Sequence, residues 1–376
     1  MKIAYLAHDL TDAAIRKRVD MLQAGGADLS LAGFRRQSTP VAAVGGVPAI
    51  DLGETFDGRL AHRALSGLLH AAHPTAVAPV VRGADVVVAR NLEMLLIAAR
   101  ARDLHAPGAR LVYECLDIHE AMIGDGLKGR ALRALEGWLL SRTNLVIISS
   151  PAFQTAYFDR HQPRHPPLLL VENKILDLSG NGTTGAPPVS AVRAPGPPWR
   201  IGWFGILRAQ KALDCLCAIA RALPGEVEIV IRGRPTSADF TDFEGQVAAT
   251  PGVTFGGAYS PDALAELYAG VHFCWAIDLT SESGNSRWLL PNRIYEGGRF
   301  GAVAIAASGT ETGRWLADRG LGIQADDPVA DTVAWISRLT PEAYETLRRA
   351  AIALPRASVV ADLADCKALV RALVGS

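Results

Sequence analysis

Short apolar runs and longer segments with apolar residues at helical spacing alternate along the chain. The runs "KIAYLA", "DVVVA", "RLVYEC" and "LVIIS" are each followed by segments such as "DAAIRKRVDMLQAGG" or "LKGRALRALEGWLLSR". Continuous apolar strands alternating with amphipathic helices predict βαβ units and a parallel sheet covered on both faces. The rhythm stops over 179–198, "SGNGTTGAPPVSAVRAPGPP", where glycine, proline and small polar residues remove any periodicity. That stretch reads as a linker. Beyond it the rhythm restarts with "RIGWFG", "VEIVIRG", "GVTFGG", "VHFCWAI" and "GAVAIAA". The pattern thus predicts a first α/β domain over 1–185 and a second over 199–355. A closing amphipathic helix over 356–376 is a candidate to pack back on the first.

Size and charge narrow the function. At 376 residues and 39.9 kDa the chain is large enough for two cores. Its 38 basic and 38 acidic residues cancel, so no global field draws it to nucleic acid, and none is expected as a partner. No uncharged run reaches the roughly 18 residues a membrane span needs. The N-terminus "MKIAYLAHDL" meets His8 and Asp9 after too short an apolar run for a signal peptide, so the expected location is cytoplasmic. Cys115, Cys215, Cys217, Cys274 and Cys366 are scattered among apolar residues, as buried thiols would be, rather than spaced for disulfides or zinc.

The stretch "RIGWFGILRAQKALD", 200–214, carries the first candidate chemistry. A parallel strand that ends in a glycine and leads into a helix offers backbone N–H groups and the positive dipole end to a phosphate. Gly205 permits close approach, and Arg208 and Lys211 could neutralise a diphosphate. A second helix start lies in "WLLPNRIYEGGRFG", 288–301. There Pro291 suits the first turn, the N–H groups around Asn292 and Arg293 face an anion, and Glu296 could accept from paired sugar hydroxyls. Two phosphate-suited helix starts and a carboxylate describe a pocket for a nucleoside-diphosphate-sugar.

The candidate catalytic groups are Asp117, His119 and Glu120 in "YECLDIHEAMIGDG", which follows a first-domain strand. One of them could take the proton of an acceptor hydroxyl. The fragment "HEAMI" lacks the second histidine of a zinc protease motif. On the acceptor side, Asp9 and Asp12 follow the first strand, and Arg90 and Asn91 follow another. Asp12 serves equally well as a helix cap. A basic segment with Lys128, Arg130, Arg133, Trp138 and Arg142 is a candidate peripheral contact with the inner face of a membrane, or a solvated helix face. No G-x-G-x-x-G follows a first strand, which argues against a nicotinamide or flavin enzyme; the nearest glycines, Gly320 and Gly322, come late.

Residues 199–325 resemble the nucleotide-binding domain of GT-B glycosyltransferases, most closely glycosyltransferase family 4. The resemblance rests on Gly205 followed six places later by Lys211, on "VEIVIRGRP", on the loop "GVTFGGAYSPDALAELYAG" and on "NRIYEGG". It implies a GT-B fold of two Rossmann-like domains facing across a cleft, with the donor held by the second and the acceptor by the first. It further implies donor contacts from Arg232 and Tyr259, and a ribose contact from Glu296. In this chain Ile206 stands where the family often has arginine, and Trp288 stands where it has a first glutamate. The implied activity is transfer of a sugar from a UDP- or GDP-sugar to a glycan or lipid-linked acceptor, in bacterial surface or extracellular polysaccharide assembly. The donor acts as co-substrate, and neither a cofactor nor a metal is expected. A sugar-nucleotide epimerase of the same fold and a non-catalytic partner subunit are the alternatives.

Overall fold

The computed structural model describes residues 1–55, 71–179, 193–236, 239–281 and 284–375. In the first half, strands β1 (Lys2–Ala7), β2 (Asp28–Arg35), β3 (Ala43–Val44), β4 (Val47–Glu54), β5 (Val86–Arg90), β6 (Arg110–Cys115), β7 (Leu145–Ile148) and β8 (Leu168–Leu170) form one sheet. Their order is β3-β4-β2-β1-β5-β6-β7-β8, and only the β3–β4 pair is antiparallel. The apolar runs of β1, β5, β6 and β7 are buried almost throughout because helices cover both faces of the sheet. β2 and β4 carry weaker apolar signals. Asp28 and Ser30 break the first part of β2, yet it pairs with β1 from Lys2↔Asp28 to Ala7↔Gly33.

The second half repeats the design with β10 (Trp199–Leu207), β11 (Val227–Pro235), β12 (Val253–Phe255), β13 (Phe273–Trp275), β14 (Val303–Ala307) and β15 (Ile323–Ala325). Here the order is β12-β11-β10-β13-β14-β15, all parallel. Strand order therefore reverses beside β10, as it does beside β1 in the first sheet. Such switch points, at the carboxyl ends of the strands, are where α/β folds bind ligands. Trp203, Trp275 and Phe273 fill the second core, with no more than 1% of their surface exposed. Burying each of these stabilises the unit by about 1.5–3 kcal/mol.

Of the described residues, one compact unit takes those within Met1–Glu172, Leu176–Gly180 and Ala361–Ser376, and the other those within Asn173–Ile175 and Asn181–Val360. The sequence pattern expected ends at 185 and 355. β9 (Ile175–Leu176) and β16 (Val360–Ala361) pair with each other, and the first expected end, 185, lies outside the described residues. Most of the expected linker, 180–192, lies outside the described residues.

The segment expected as one helix over 356–376 is broken, because β16 interrupts it and the long helix starts only at Leu363. Asp362 caps that helix through Ala364 N and Asp365 N, and the Asp365 side chain returns a bond to Asp362 N. Its Cys366, Leu369, Val370 and Leu373 enter the first unit's core beside Ile15, Val19 and Leu22 of the helix Ala13–Ala24. The approach is close enough that a β-carbon on Gly25 would lie 2.5 Å from the Cys366 carbonyl oxygen. All five cysteines are unpaired, with Cys215 half-buried and the others buried.

Candidate functional site

The carboxyl end of β10 is built from glycine. Gly205 (φ +112°) pairs in register with Gly233 (φ +142°) of β11. A β-carbon on Gly233 would fall 1.8 Å from the Gly205 carbonyl oxygen, so the two strands close up only without side chains there. The following helix, Gln210–Ala222, begins after Ala209, whose φ of 69° and ψ of 113° lie outside the usual alanine regions. Backbone strain of this kind costs about 1–3 kcal/mol and gathers at functional sites. No side chain caps this helix start. Gln210 turns away instead, donating to Asp214 (2.8 Å) and Gln246 (2.6 Å). Arg208 and Lys211 are exposed on either side of the helix start.

Across the switch point, the helix Asn292–Phe300 starts beyond β13. Pro291 occupies its N-cap rather than its first turn, and this start also lacks a side-chain cap. Arg293 lies over the end of β13, donating from Nη1 to the Trp275 carbonyl at 2.9 Å. Gly297 lets the helix rest on that strand, since a β-carbon would meet Cys274 Sγ at 2.7 Å. Asn292 is exposed and accepts a hydrogen bond from the Asn173 amide.

Glu296, half-buried one turn along, receives a 2.7 Å hydrogen bond from the hydroxyl of Tyr268. Tyr268 packs edge-on against Phe204, the neighbour of Gly205, at 5.0 Å between ring centroids. Tyr259 lies in the same place, its hydroxyl 4.0 Å from where a β-carbon on Gly205 would be. Burial, and then the Glu296 carboxylate, push the Tyr259 phenol above its ordinary value, while Arg293 and Arg232 pull against them. Gly205, Tyr259, Glu296, Arg293 and Arg232 thus share one neighbourhood. Arg232 also braces the loop, donating from Nε to the Gly257 carbonyl (3.1 Å) and from Nη2 to that of Ala258 (3.2 Å). Trp288 is half-buried in the short helix Asn285–Trp288.

Two groups here escaped the sequence reading. Tyr268 ends a short helix in "ALAELYAG" and carries no local mark of chemistry; only its approach to Glu296 reveals it. Asp278 follows β13, where a carboxylate directly after an apolar strand is a usable signal. Its Oδ1 accepts from Ser286 Oγ at 2.5 Å and Thr280 N at 3.0 Å.

In the first unit, Asp9 closes its own turn, accepting from Thr11 N (3.0 Å) and Thr11 Oγ1 (2.6 Å), and lies 3.6 Å from Arg36. Asp12 caps the helix Ala13–Ala24 through Ala14 N at 2.9 Å. Asn91, with φ 73° and ψ 163°, precedes the helix Leu92–His105 in backbone space that normally belongs to glycine. Asp117, His119 and Glu120 are exposed after β6, and His119 Nδ1 accepts from Ala121 N at 3.1 Å, capping a short turn.

Beneath these loops lies a polar cluster that the sequence did not reveal. Glu114 has none of its surface exposed and accepts from Arg18 Nε and Tyr5 Oη, each at 2.6 Å, with Arg90 Nη1 at 4.0 Å. Burial would raise its carboxyl, but Arg18, Arg90 and the Tyr5 hydroxyl together hold it below the usual carboxylate range. Among the described residues, no group of three or more His, Cys, Asp or Glu gathers as a metal site would.

Solved structures share this architecture over the whole chain. Sucrose-phosphate synthase from Thermosynechococcus elongatus superposes with a TM-score of 0.71 at 15% identity, covering 100% of this chain and 96% of that one. HepE of Anabaena, solved with UDP and glucose, gives a TM-score of 0.68 at 16% identity, with 100% of both chains covered. The catalytic domain of starch synthase IV from Arabidopsis thaliana gives 0.64 at 12% identity, covering 100% of this chain and 99% of that one. No family model matches the chain. The fold is that of the GT-B class. The succinoglycan biosynthesis protein ExoL of Rhizobium meliloti (strain 1021) is 44% identical over 382 residues, which is 99% of this chain and 93% of that protein. The chain belongs to the ExoL family.

Proposed function

We propose that the chain transfers a sugar from a nucleoside-diphosphate-sugar, with UDP as the favoured carrier and GDP as the alternative, to a glycan or lipid-linked acceptor during extracellular polysaccharide assembly. The observation that carries the reading is the convergence of Tyr259, Glu296, Arg293 and Arg232 beside Gly205 at the second unit's switch point. Kinship to a succinoglycan biosynthesis protein and the fold shared with HepE, solved with UDP, support the acceptor class and the carrier. Within the GT-B class, the Gly205 to Lys211 spacing and the "NRIYEGG" stretch favour family 4.

In this reading the diphosphate lies against the two uncapped helix starts, and Arg208, Lys211 and Arg293 meet its charge. As the bond from the anomeric carbon to the diphosphate breaks, these cations stabilise the departing oxygen without a metal. The acceptor oxygen forms the new bond, and Asp117, His119 or Glu120 takes its proton. Asp9, Asp12 and Asn91 are proposed to contact the acceptor. Activity is expected to survive a chelator.

Among the described residues no helix is long and apolar enough to cross a membrane. The helix Leu127–Leu140 presents Leu127 (78% exposed) and Trp138 (52%) beside exposed Lys128 and Arg130, and is proposed to touch the membrane that carries a lipid-linked acceptor. Arg133 contributes less, because it donates to the Met122 and Gly124 carbonyls, and Arg142 pairs with Asp103.

A thermal-shift panel of nucleoside diphosphates tests the central claim, since a ligand that binds only the folded state raises its stability. UDP or GDP should raise the midpoint. No shift with any nucleoside diphosphate rules out the donor site.

A further inference from the structure

Just past β13 stands a carboxylate that is held on one side only. β10 and β13 pair through Ile201↔Phe273 and Gly202↔Cys274 alone, whereas β10 stays paired with β11 as far as Leu207↔Pro235. Beyond Cys274 the two central strands part, and a switch-point crevice opens between such strand ends. Gly205 lies three residues past the last pair on one side, and Asp278 four residues past it on the other. Asp278 also follows by three residues the Trp275 carbonyl that Arg293 bonds, an interval of at most about 11 Å. Its Oδ1 is fixed by the Ser286 hydroxyl at 2.5 Å and by Thr280 N at 3.0 Å. Ser286 is 7% exposed and itself accepts from Ser281 N at 3.1 Å, which leaves its proton for Asp278. The far end of the loop is tied down, since Thr312 Oγ1 donates to the Leu289 carbonyl at 3.0 Å and Arg287 Nη2 to that of Gly309 at 3.3 Å. Asp278 Oδ2, by contrast, takes no hydrogen bond and pairs with no cation among the described residues. A half-buried carboxylate held by one oxygen and open at the other can accept from a ligand hydroxyl.

We propose that Asp278 is a specificity-determining residue for the donor's sugar: Oδ2 accepts from a hydroxyl of a neutral hexosyl group, and its charge turns away a hexuronate. The inference rests on the donor-site reading above. In that reading Arg208, Lys211 and Arg293 meet the diphosphate, and the same cations would favour a carboxylate on the sugar as well. An anion on the lip of the crevice opposite Gly205 offsets that attraction. Discrimination of this kind gains from a repulsive element beside the attractive one, and a single carboxylate supplies both. A hydrogen bond to an ionised acceptor is among the stronger ones in proteins. Because Ser286 and Thr280 already hold Oδ1, the other oxygen is presented at little cost in ordering.

The test is calorimetric titration of UDP, UDP-glucose, UDP-galactose and UDP-glucuronate into the full chain and two variants, Asp278→Asn and Ser286→Ala, with the thermal midpoint of each. Asparagine keeps the size and an oxygen for Ser286 and Thr280, and removes the charge. In the unaltered chain one of the neutral UDP-sugars should bind more tightly than UDP-glucuronate. Asp278→Asn should weaken that sugar by about tenfold, the usual scale for one charge-assisted hydrogen bond, strengthen UDP-glucuronate and leave UDP unchanged. Ser286→Ala keeps the charge, so it should loosen the neutral sugar and still reject the uronate. An unaltered chain that prefers neither neutral sugar overturns the inference, as does a preference that Asp278→Asn retains; in both cases continued UDP binding leaves the donor site standing. Equal weakening of all four ligands with a lowered midpoint assigns Asp278 to the folding of its loop and also overturns the inference. Should Asp278→Asn fail to fold, unchanged neutral-sugar affinity in Ser286→Ala overturns it, and weakened affinity with the uronate still rejected supports it. If UDP fails to bind the unaltered chain, the donor-site reading for UDP falls and takes the inference with it.

Discussion

The hydroxyl of Tyr259 lies 4.0 Å from the point that a β-carbon on Gly205 would occupy. Position 205 is therefore held empty on two counts: its φ of +112° disfavours any side chain, and the space beside it borders a residue of the candidate donor site. The substitution Gly205→Ala should destabilise the second unit by about 1–3 kcal/mol, and should weaken UDP binding beyond that loss. Urea unfolding and calorimetry separate the two effects. Full UDP affinity in the variant would remove Gly205 from the site.

Lys211 stands in the first turn of an uncapped helix behind a strained Ala209. Removing its charge with Lys211→Ala should weaken nucleoside diphosphate binding by about 10- to 100-fold, the equivalent of a charged hydrogen bond of about 1.5–3 kcal/mol. Asp117→Asn should leave that affinity unchanged and slow acceptor-dependent release of the nucleoside diphosphate by at least about 100-fold. Unchanged UDP affinity in Lys211→Ala contradicts the proposed diphosphate site, and unchanged turnover in Asp117→Asn passes the role of base to His119 or Glu120.

Two buried groups should give the units opposite responses to pH. Burial pushes the Glu136 carboxyl of the first unit up to about 7 from 4.5, although Tyr157 and Gln162 donate to it. Between those values the folded chain holds the extra proton, so this contribution is fully present below pH 4.5 and is lost as pH rises through about 7. Burial, with Arg193, Arg200 and Arg348 nearby, pushes His272 of the second unit down to about 4 from 6.5. Its contribution is present above pH 6.5 and is lost as pH falls through about 4. As pH rises between 4.5 and 6.5, Glu136→Gln should therefore gain stability relative to the unaltered chain and His272→Asn should lose it. Denaturant titrations across that range measure both slopes, and slopes of the same sign would refute the assignment.

Glu114 stands between two buried arginines, so its removal strands positive charge in the core. Glu114→Gln should cost about 3–5 kcal/mol, as breaking a buried ion pair does. The double variant Glu114→Gln, Arg18→Met should recover part of that loss, because it removes a stranded charge along with its former partner. No recovery would show that Arg18 packs rather than pairs.

Much of the scaffold was legible in the chain. β1, β5 and β7 stand out as nearly continuous apolar runs because a parallel sheet covered on both faces admits few polar side chains. Gly205 and the Asn292 helix start were legible for a similar reason, since a glycine after a strand and a proline before a helix are local features of the backbone. β2 was obscured by Asp28 and Ser30, and the break in the closing helix at β16 was obscured because Val359, Val360 and Ala361 suit a helix and a strand alike.

The sequence by itself determined the two α/β halves, the strand-to-helix turns and the residue types suited to a diphosphate, because each of these depends on neighbours a few positions away. Only the tertiary structure decided that Tyr268 holds Glu296 across 28 residues, that Tyr259 borders Gly205, and that Arg18 meets Glu114 across 96. Those meetings follow from strand order and from which helix face packs on which strand. Side-chain periodicity sets the faces of an element, but the partner of each face is set by the packing of the whole unit.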